Sequence, residues 1–132
     1  MKGETLLVHG STGGVGMAAV QLGKYLGAKV IAMGTSEEKL EHTKSWGADH
    51  TILTHKNGKV EFREEVKDLT EGKGADVIYD PVGGDVFDQS IRCINWGGRL
   101  LVVGFASGRI PSLPVNMALI KGFSVIGVRA GE

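Results

Sequence analysis

The sequence predicts one doubly wound α/β domain, three layers deep, built on a six-stranded parallel sheet. Three observations predict it. Short runs rich in β-branched and apolar residues alternate with segments whose apolar residues recur at helical spacing. The strand runs are apolar on both faces, as a sheet buried between two helix layers requires. A cluster of glycines falls where the first strand passes into the first helix.

Taken in order, Thr5-Leu6-Leu7-Val8-His9 is the first strand. Val15, Ala18, Ala19, Leu22 and Leu26 then mark a helix that Gly27 ends. Lys29 to Met33 is the second strand. Ser36 is placed to cap a second helix, with Glu37 and Glu38 favoured in its first turn by the helix dipole, and Trp46-Gly47 closes it. A weaker third strand covers His50 to Leu53. Phe62, Val66 and Leu69 mark a third helix, stopped by Gly72, and Asp76 to Asp80 forms the fourth strand. Val86, Phe87, Ser90, Ile91 and Ile94 give a fourth helix, and Gly98 to Val103 the fifth strand. A short helix over Val115 to Lys121 follows Pro114, and Phe123 to Val128 is the sixth strand.

Length and composition set the outer bounds. The chain of 132 residues suffices for one compact core and is too short for two, so residues 1–132 are read as one domain. Fifteen basic residues balance fifteen acidic ones, which excludes the basic footprint of a nucleic-acid binder. No apolar run approaches the roughly 20 residues of a membrane span. The lone Cys93 forms no intrachain disulfide and builds no zinc site by itself, which points to a reducing, cytoplasmic setting. The 21 glycines exceed an ordinary share and call for turns and close backbone approach.

The glycine cluster carries the chemistry. His9-Gly10-Ser11-Thr12-Gly13-Gly14-Val15-Gly16 follows a strand and opens a helix, the context of a dinucleotide-binding loop. Ser11 stands where such loops usually have their first glycine, while Gly10, Gly13 and Gly16 keep a three-residue spacing. Gly13 lets the backbone approach a pyrophosphate, and Gly16 lets the helix pack closely. The free N–H groups near Gly14 and Val15, with Ser11 and Thr12 beside them, are expected to hold the phosphates.

The end of the second strand selects the cofactor. An acidic residue about 20 positions past the glycines would hold the ribose 2′-hydroxyl of NAD. Gly34 occupies that place here, followed by Thr35 and Ser36, with Lys39 one turn into the helix. No carboxylate stands at that place to repel a 2′-phosphate; Glu37 and Glu38 count against one but should point elsewhere on the helix, and the cofactor is expected to be NADP(H). A charge-assisted bond from Lys39, at about 1.5–3 kcal/mol, would favour NADPH ten- to hundredfold.

Other suggestive residues read as structural. Tyr25 and Lys29 match a Tyr-x-x-x-Lys pattern, but Gly27 breaks the helix such a pair needs. His9 is read as a satisfied strand-end histidine, Cys93 as core and Asp80 as turn-forming before Pro81. His42, His50 and His55 show no metal spacing with any cysteine, and no metal is expected.

The stretches from Val8 to Gly16, from Gly34 to Leu40, from Trp46 to His50, from Asp80 to Gly84 and from Gly97 to Ala106 together resemble the medium-chain dehydrogenase/reductases. The resemblance is to their zinc-independent quinone oxidoreductase (zeta-crystallin-like) branch and covers nearly the whole chain. It implies a Rossmann fold whose strand-end loops line the cofactor: Val82 and Gly83 after the fourth strand, and Gly104, Phe105 and Ala106 after the fifth, near the nicotinamide. The family often has a tyrosine after its third strand where Thr54 stands here, a departure at the adenosine side.

The same resemblance implies hydride transfer from NADPH to a quinone or activated enone, with carbonyl polarisation by a GroES-like catalytic domain absent from this chain. Met1-Lys2-Gly3-Glu4-Thr5 and Gly131-Glu132 read as the edges of an excised domain, which is expected to bind cofactor with little turnover. It also implies a homodimer through the edge strand 123–128. An enoyl-reductase or alcohol dehydrogenase of the same superfamily, and a non-catalytic nucleotide-binding or structural protein, stay open as alternatives.

Overall fold

The computed structural model describes residues 2–129; Met1, Gly131 and Glu132, read above as edges, lie outside the described residues. Strands β1 (Thr5–Val8), β2 (Lys29–Gly34) and β3 (His50–Leu53) form one half of the sheet. Helices α1 (Gly14–Tyr25) and α2 (Glu37–Thr43), with a 3-10 turn over Lys44–Trp46, connect them. A hairpin follows, β4 (His55–Lys56) and β5 (Lys59–Val60), then helix α3 (Arg63–Leu69). The second half is β6 (Ala75–Asp80), α4 (Gly84–Ser90), β7 (Ile94–Val102), α5 (Val115–Lys121) and β8 (Ser124–Gly127).

The six long strands lie in the order β3-β2-β1-β6-β7-β8, all parallel. The order reverses between β1 and β6, and ligands of open α/β sheets bind at the carboxyl ends of the strands at such a switch point. The core lies on both sheet faces. Leu7, Ile31, Ile78 and Leu100 pack with Phe62 and Phe87 under α3 and α4. Val8, Val30 and Ala32 pack with Val20 and Leu40 under α1 and α2.

Three elements differ from the sequence reading. Helix α1 buries Gly16, Val20 and Gly23 rather than its larger apolar residues. A Cβ on Gly23 would meet Leu6 at 2.4 Å and Val30 at 3.2 Å, so the helix rests on the sheet along its smallest side chains. Val15, Leu22 and Leu26 remain 63%, 58% and 44% exposed. Helix α4 ends at Ser90, and Ile94 belongs to the next strand. That strand starts early because Asn95 to Gly98 form a bulge: Ala75 pairs with Ile94, and Val77 pairs with Arg99. The third difference is the hairpin β4–β5, which the strand reading left out.

Candidate functional site

The glycine loop bridges both neighbours of β1. The Ser11 N–H and its hydroxyl both donate to the Met33 carbonyl at the end of β2, at 3.1 and 2.8 Å. Ser11 is fully buried, so its side chain anchors the loop instead of facing solvent. On the other side Gly10, with φ of 61°, sits so close to Pro81 that a Cβ would lie 3.2 Å from its ring. Glycine there serves both the left-handed backbone and the close approach.

Helix α1 begins at Gly14 behind an extended Gly13, and no side chain caps it. Gly13, Gly14 and Val15 are exposed. Uncapped amides at a helix mouth form an anion site, reinforced by the helix dipole. Gly16 holds the mouth in place: a Cβ there would lie 2.2 Å from the Gly10 carbonyl oxygen and 2.7 Å from Ser11 Cα. Only glycine fits, and the loop is thereby pressed onto the helix.

At the tip of β2, Gly34 is enclosed by Leu40 and by the Thr12 methyl, 3.1 and 3.5 Å from where its Cβ would be. The position that would carry an acidic residue is thus filled by apolar atoms. Thr35 is exposed. Ser36 caps α2, accepting from the Lys39 N–H at 3.3 Å, and its own hydroxyl proton stays available. Lys39 is exposed, and no ion pair with a described residue occupies its ammonium. Glu37 turns toward the groove between α2 and β3, with Glu41 and Thr51. Thr54 is buried, its N–H on the Gly34 carbonyl and its own carbonyl accepting from Glu61. It supports the floor beneath Gly34.

Across the switch point, Asp80 organises the loop after β6. Its Oδ1 accepts from the Val82 and Gly83 amides at 2.8 and 2.9 Å. Burial pushes this carboxyl above its usual range even though both amides pull it down. The loop after β7 then folds onto the same turn. Ala106 N–H donates to the Pro81 carbonyl and Ser107 N–H to that of Val82. Gly104 packs on Pro81, and Phe105 touches the place of a Gly83 Cβ at 3.0 Å.

The predicted residues after β1, β2, β6 and β7 therefore meet along one edge of the sheet. Two residues were missed by sequence reasoning. Ser107 and Arg109 line a cavity of about 250 Å³ with Val82 and Gly83, and Arg109 is held by Asp85 and Asp88 at 2.9 and 2.6 Å. The run Ser107-Gly108-Arg109 carries no motif that marks it. Tyr25 ends α1 and Lys29 opens β2, where it donates to the Leu69 carbonyl, so the two form no catalytic pair. Among the described residues, no group of three or more His, Cys, Asp or Glu is placed to hold a metal. No helix among them is long and apolar enough to cross a membrane.

A family model described as zinc-binding dehydrogenase matches residues 14–132. The chain is 44% identical over 131 residues to the quinone oxidoreductase-like protein 2 homolog of Nematostella vectensis, covering 98% of this chain and 34% of that protein. It is 37% identical over 127 residues to the acryloyl-coenzyme A reductase of Sulfurisphaera tokodaii, covering 96% and 35%. The crystal structure of Escherichia coli quinone oxidoreductase complexed with NADPH superposes with a TM-score of 0.83 at 30% identity, covering 96% of this chain and 38% of that one. The chain belongs to the medium-chain dehydrogenase/reductase superfamily, as its nucleotide-binding part. It spans about a third of the length of these curated relatives.

Proposed function

We propose that this chain holds NADPH, in preference to NADH, along the carboxyl edge of its sheet. In this reading it is the nucleotide-binding half of an oxidoreductase that reduces a quinone or an activated enone. The single observation that carries the reading is the pairing of an uncapped helix mouth at Gly13–Val15 with a β2 tip, Gly34, that has no carboxylate.

In this arrangement the α1 amides hold the pyrophosphate, with the Thr12 side chain at the edge of the loop. Thr35, Ser36 and Lys39 donate to the 2′-phosphate. Val82, Gly83, Gly104, Phe105 and Ala106 border the nicotinamide. NADPH, when bound, supplies the hydride; the protein fixes the ring against the acceptor and excludes water. An activated alkene is suggested by the relative named for acryloyl-coenzyme A, an α,β-unsaturated thioester, and a quinone by the names of the others. Carbonyl polarisation belongs to a separate catalytic domain and needs no metal from this chain. The setting is cytoplasmic, consistent with a single, buried, free Cys93.

Fluorescence titration of wild type and Lys39→Ala with both cofactors tests the reading. NADPH should bind wild type ten- to hundredfold more tightly than NADH, and Lys39→Ala should lose most of that margin through NADPH alone, given about 1.5–3 kcal/mol for the bond. Equal wild-type affinities would refute it. A simple quinone added to the NADPH complex should cause little oxidation, because the polarising donors lie elsewhere. Rapid turnover at catalytic protein levels would overturn that part.

The exposed edge suits a second subunit. Strand β8 is the outermost strand; Ile126 in it and Val128 just past it are exposed, as are Leu119 and Ile120 of the preceding helix α5. Unprotected apolar edges invite pairing. Sedimentation should therefore reveal a dimer that Ile126→Lys dissolves; a strict monomer at high concentration would argue against it.

A further inference from the structure

Residues 103–109, past the end of β7, form no helix or strand, yet they are tied along the loop after β6. The Val103 N–H donates to the Asp80 carbonyl at 2.9 Å, that of Ala106 to Pro81 at 3.0 Å and that of Ser107 to Val82 at 2.9 Å. The Gly84 N–H then donates to the Arg109 carbonyl at 3.1 Å. The double glycine permits this strap to lie so close. Gly83 and Gly84 have φ of 71° and 53°, and a Cβ on Gly84 would stand 2.6 Å from Ser107 Oγ. Beyond Arg109, residues 110–113 make no backbone hydrogen bond among the described residues, and Ile110 is exposed. Arg109 is therefore the far end of the strap.

Its side chain fastens that end. One guanidinium nitrogen, Nη2, donates to Asp85 at 2.9 Å and to Asp88 at 2.6 Å. These carboxylates stand three residues apart on α4 and so share one of its faces. All three side chains are about half exposed or more, and exposed ion pairs contribute little to the stability of a whole fold. The effect of this latch is local. Without it, the single Gly84–Arg109 backbone bond would be the last tie of the strap.

We propose that Arg109, held by Asp85 and Asp88, is a positioning residue: it fastens the strap so that Phe105 and Ala106 receive the nicotinamide half of the cofactor. The inference rests on the NADPH reading above. It requires no contact between Arg109 and the cofactor. The charged end of Arg109 is occupied by α4, and the residue acts through the backbone that it carries. The local charge agrees with this role. One cation against two carboxylates leaves a net negative charge, which disfavours direct contact with a phosphate.

Two ligands separate the halves of the site. NADPH spans all of it, whereas adenosine 2′,5′-bisphosphate keeps the adenosine half with its 2′-phosphate and lacks the nicotinamide. In calorimetric titrations, Arg109→Ala and the double variant Asp85→Asn/Asp88→Asn should each weaken NADPH about three- to tenfold, the scale of a lost ion pair. The bisphosphate should bind both variants as it binds wild type. Salt supplies a second readout. The two ligands carry nearly equal charge, so screening of phosphate contacts cancels in the ratio of their affinities. At about 0.5 M salt that ratio should fall in wild type toward the variants' value and stay constant in the variants. Variants that bind both ligands like wild type would overturn the latch and leave the NADPH reading intact. A loss in Arg109→Ala that the carboxylate variant does not share would make Arg109 a direct cofactor contact, and would overturn it too. So would an equal loss of both ligands with a lowered urea midpoint, which would make the latch a prop of the fold. A wild type that binds neither ligand would refute the NADPH reading itself, and the latch with it, before any variant is made.

Discussion

Gly16→Ala should abolish cofactor binding and lower stability by about 3 kcal/mol or more, the upper end of what overpacking costs. The added Cβ would stand 2.2 Å from the Gly10 carbonyl oxygen and 2.7 Å from Ser11 Cα, both backbone atoms. No side-chain rotation relieves such a contact. Either α1 lifts from the loop or the loop swings away from β2, breaking the paired Ser11 bonds to Met33. Both responses move the amides that would face a pyrophosphate. Gly14→Ala is the control, because a Cβ there meets nothing within 4 Å. Its stability should change by under about 1 kcal/mol. Urea unfolding of the two variants, with an NADPH titration of each, separates them. If Gly16→Ala unfolds like wild type, the close approach is not what holds the loop.

The contrast between these two glycines illustrates what was legible in the sequence. Strand–glycine–helix context located the loop, and Gly16 has the packing role its spacing implies. The six strands of the parallel sheet and the short α5 also follow from alternation and turn signals. The apolar period of α1 gave the right helix and the wrong face, since periodicity records which residues share a side and not what that side meets. Gly23 was the overlooked cue beside Gly16: a helix that must approach a sheet closely presents its small residues. The hairpin was legible too. Asn57-Gly58 is a two-residue turn signal, and both residues adopt positive φ, 52° and 78°. Its arms, His55–Lys56 and Lys59–Val60, lack the β-branched run that marks a strand. The bulge at Asn95 to Gly98 hid the start of β7 by interrupting alternation. Ser11 shows a different limit: a hydroxyl in a glycine-rich loop between strand and helix suggests a ligand contact, and only the fold reveals that it donates to Met33.

His9 should make the fold lose about 2 kcal/mol between pH 7 and pH 5, a window above the ordinary carboxylate range. The imidazole ends β1 fully buried against Phe62, with ring centroids 5.1 Å apart. Ser90 Oγ lies 2.8 Å from its Nε2 and donates its own proton to the Val86 carbonyl, so it accepts from an Nε2–H. That fixes the neutral tautomer and leaves Nδ1 a buried acceptor without a partner among the described residues. Burial lowers the pKa from 6.5 to about 3. The unfolded chain therefore takes up a proton near pH 6.5 that the folded chain refuses until about pH 3. Stability is full above the unfolded value and falls as pH drops through this interval, by on the order of 4 kcal/mol at its lower end. His9→Gln removes the titrating group, so its urea-derived stability should stay nearly flat from pH 7 to 5 whatever its level at pH 7. Parallel curves for the two proteins would mean that folded His9 takes up its proton as readily as the unfolded chain does. Because His9 also donates its backbone N–H to Tyr79 across the switch point and precedes Gly10 directly, its protonation would strain the seam from which the glycine loop departs. The folded chain refuses that proton until about pH 3, so His9 should leave NADPH affinity unchanged from pH 7 to pH 5, in wild type as in the variant.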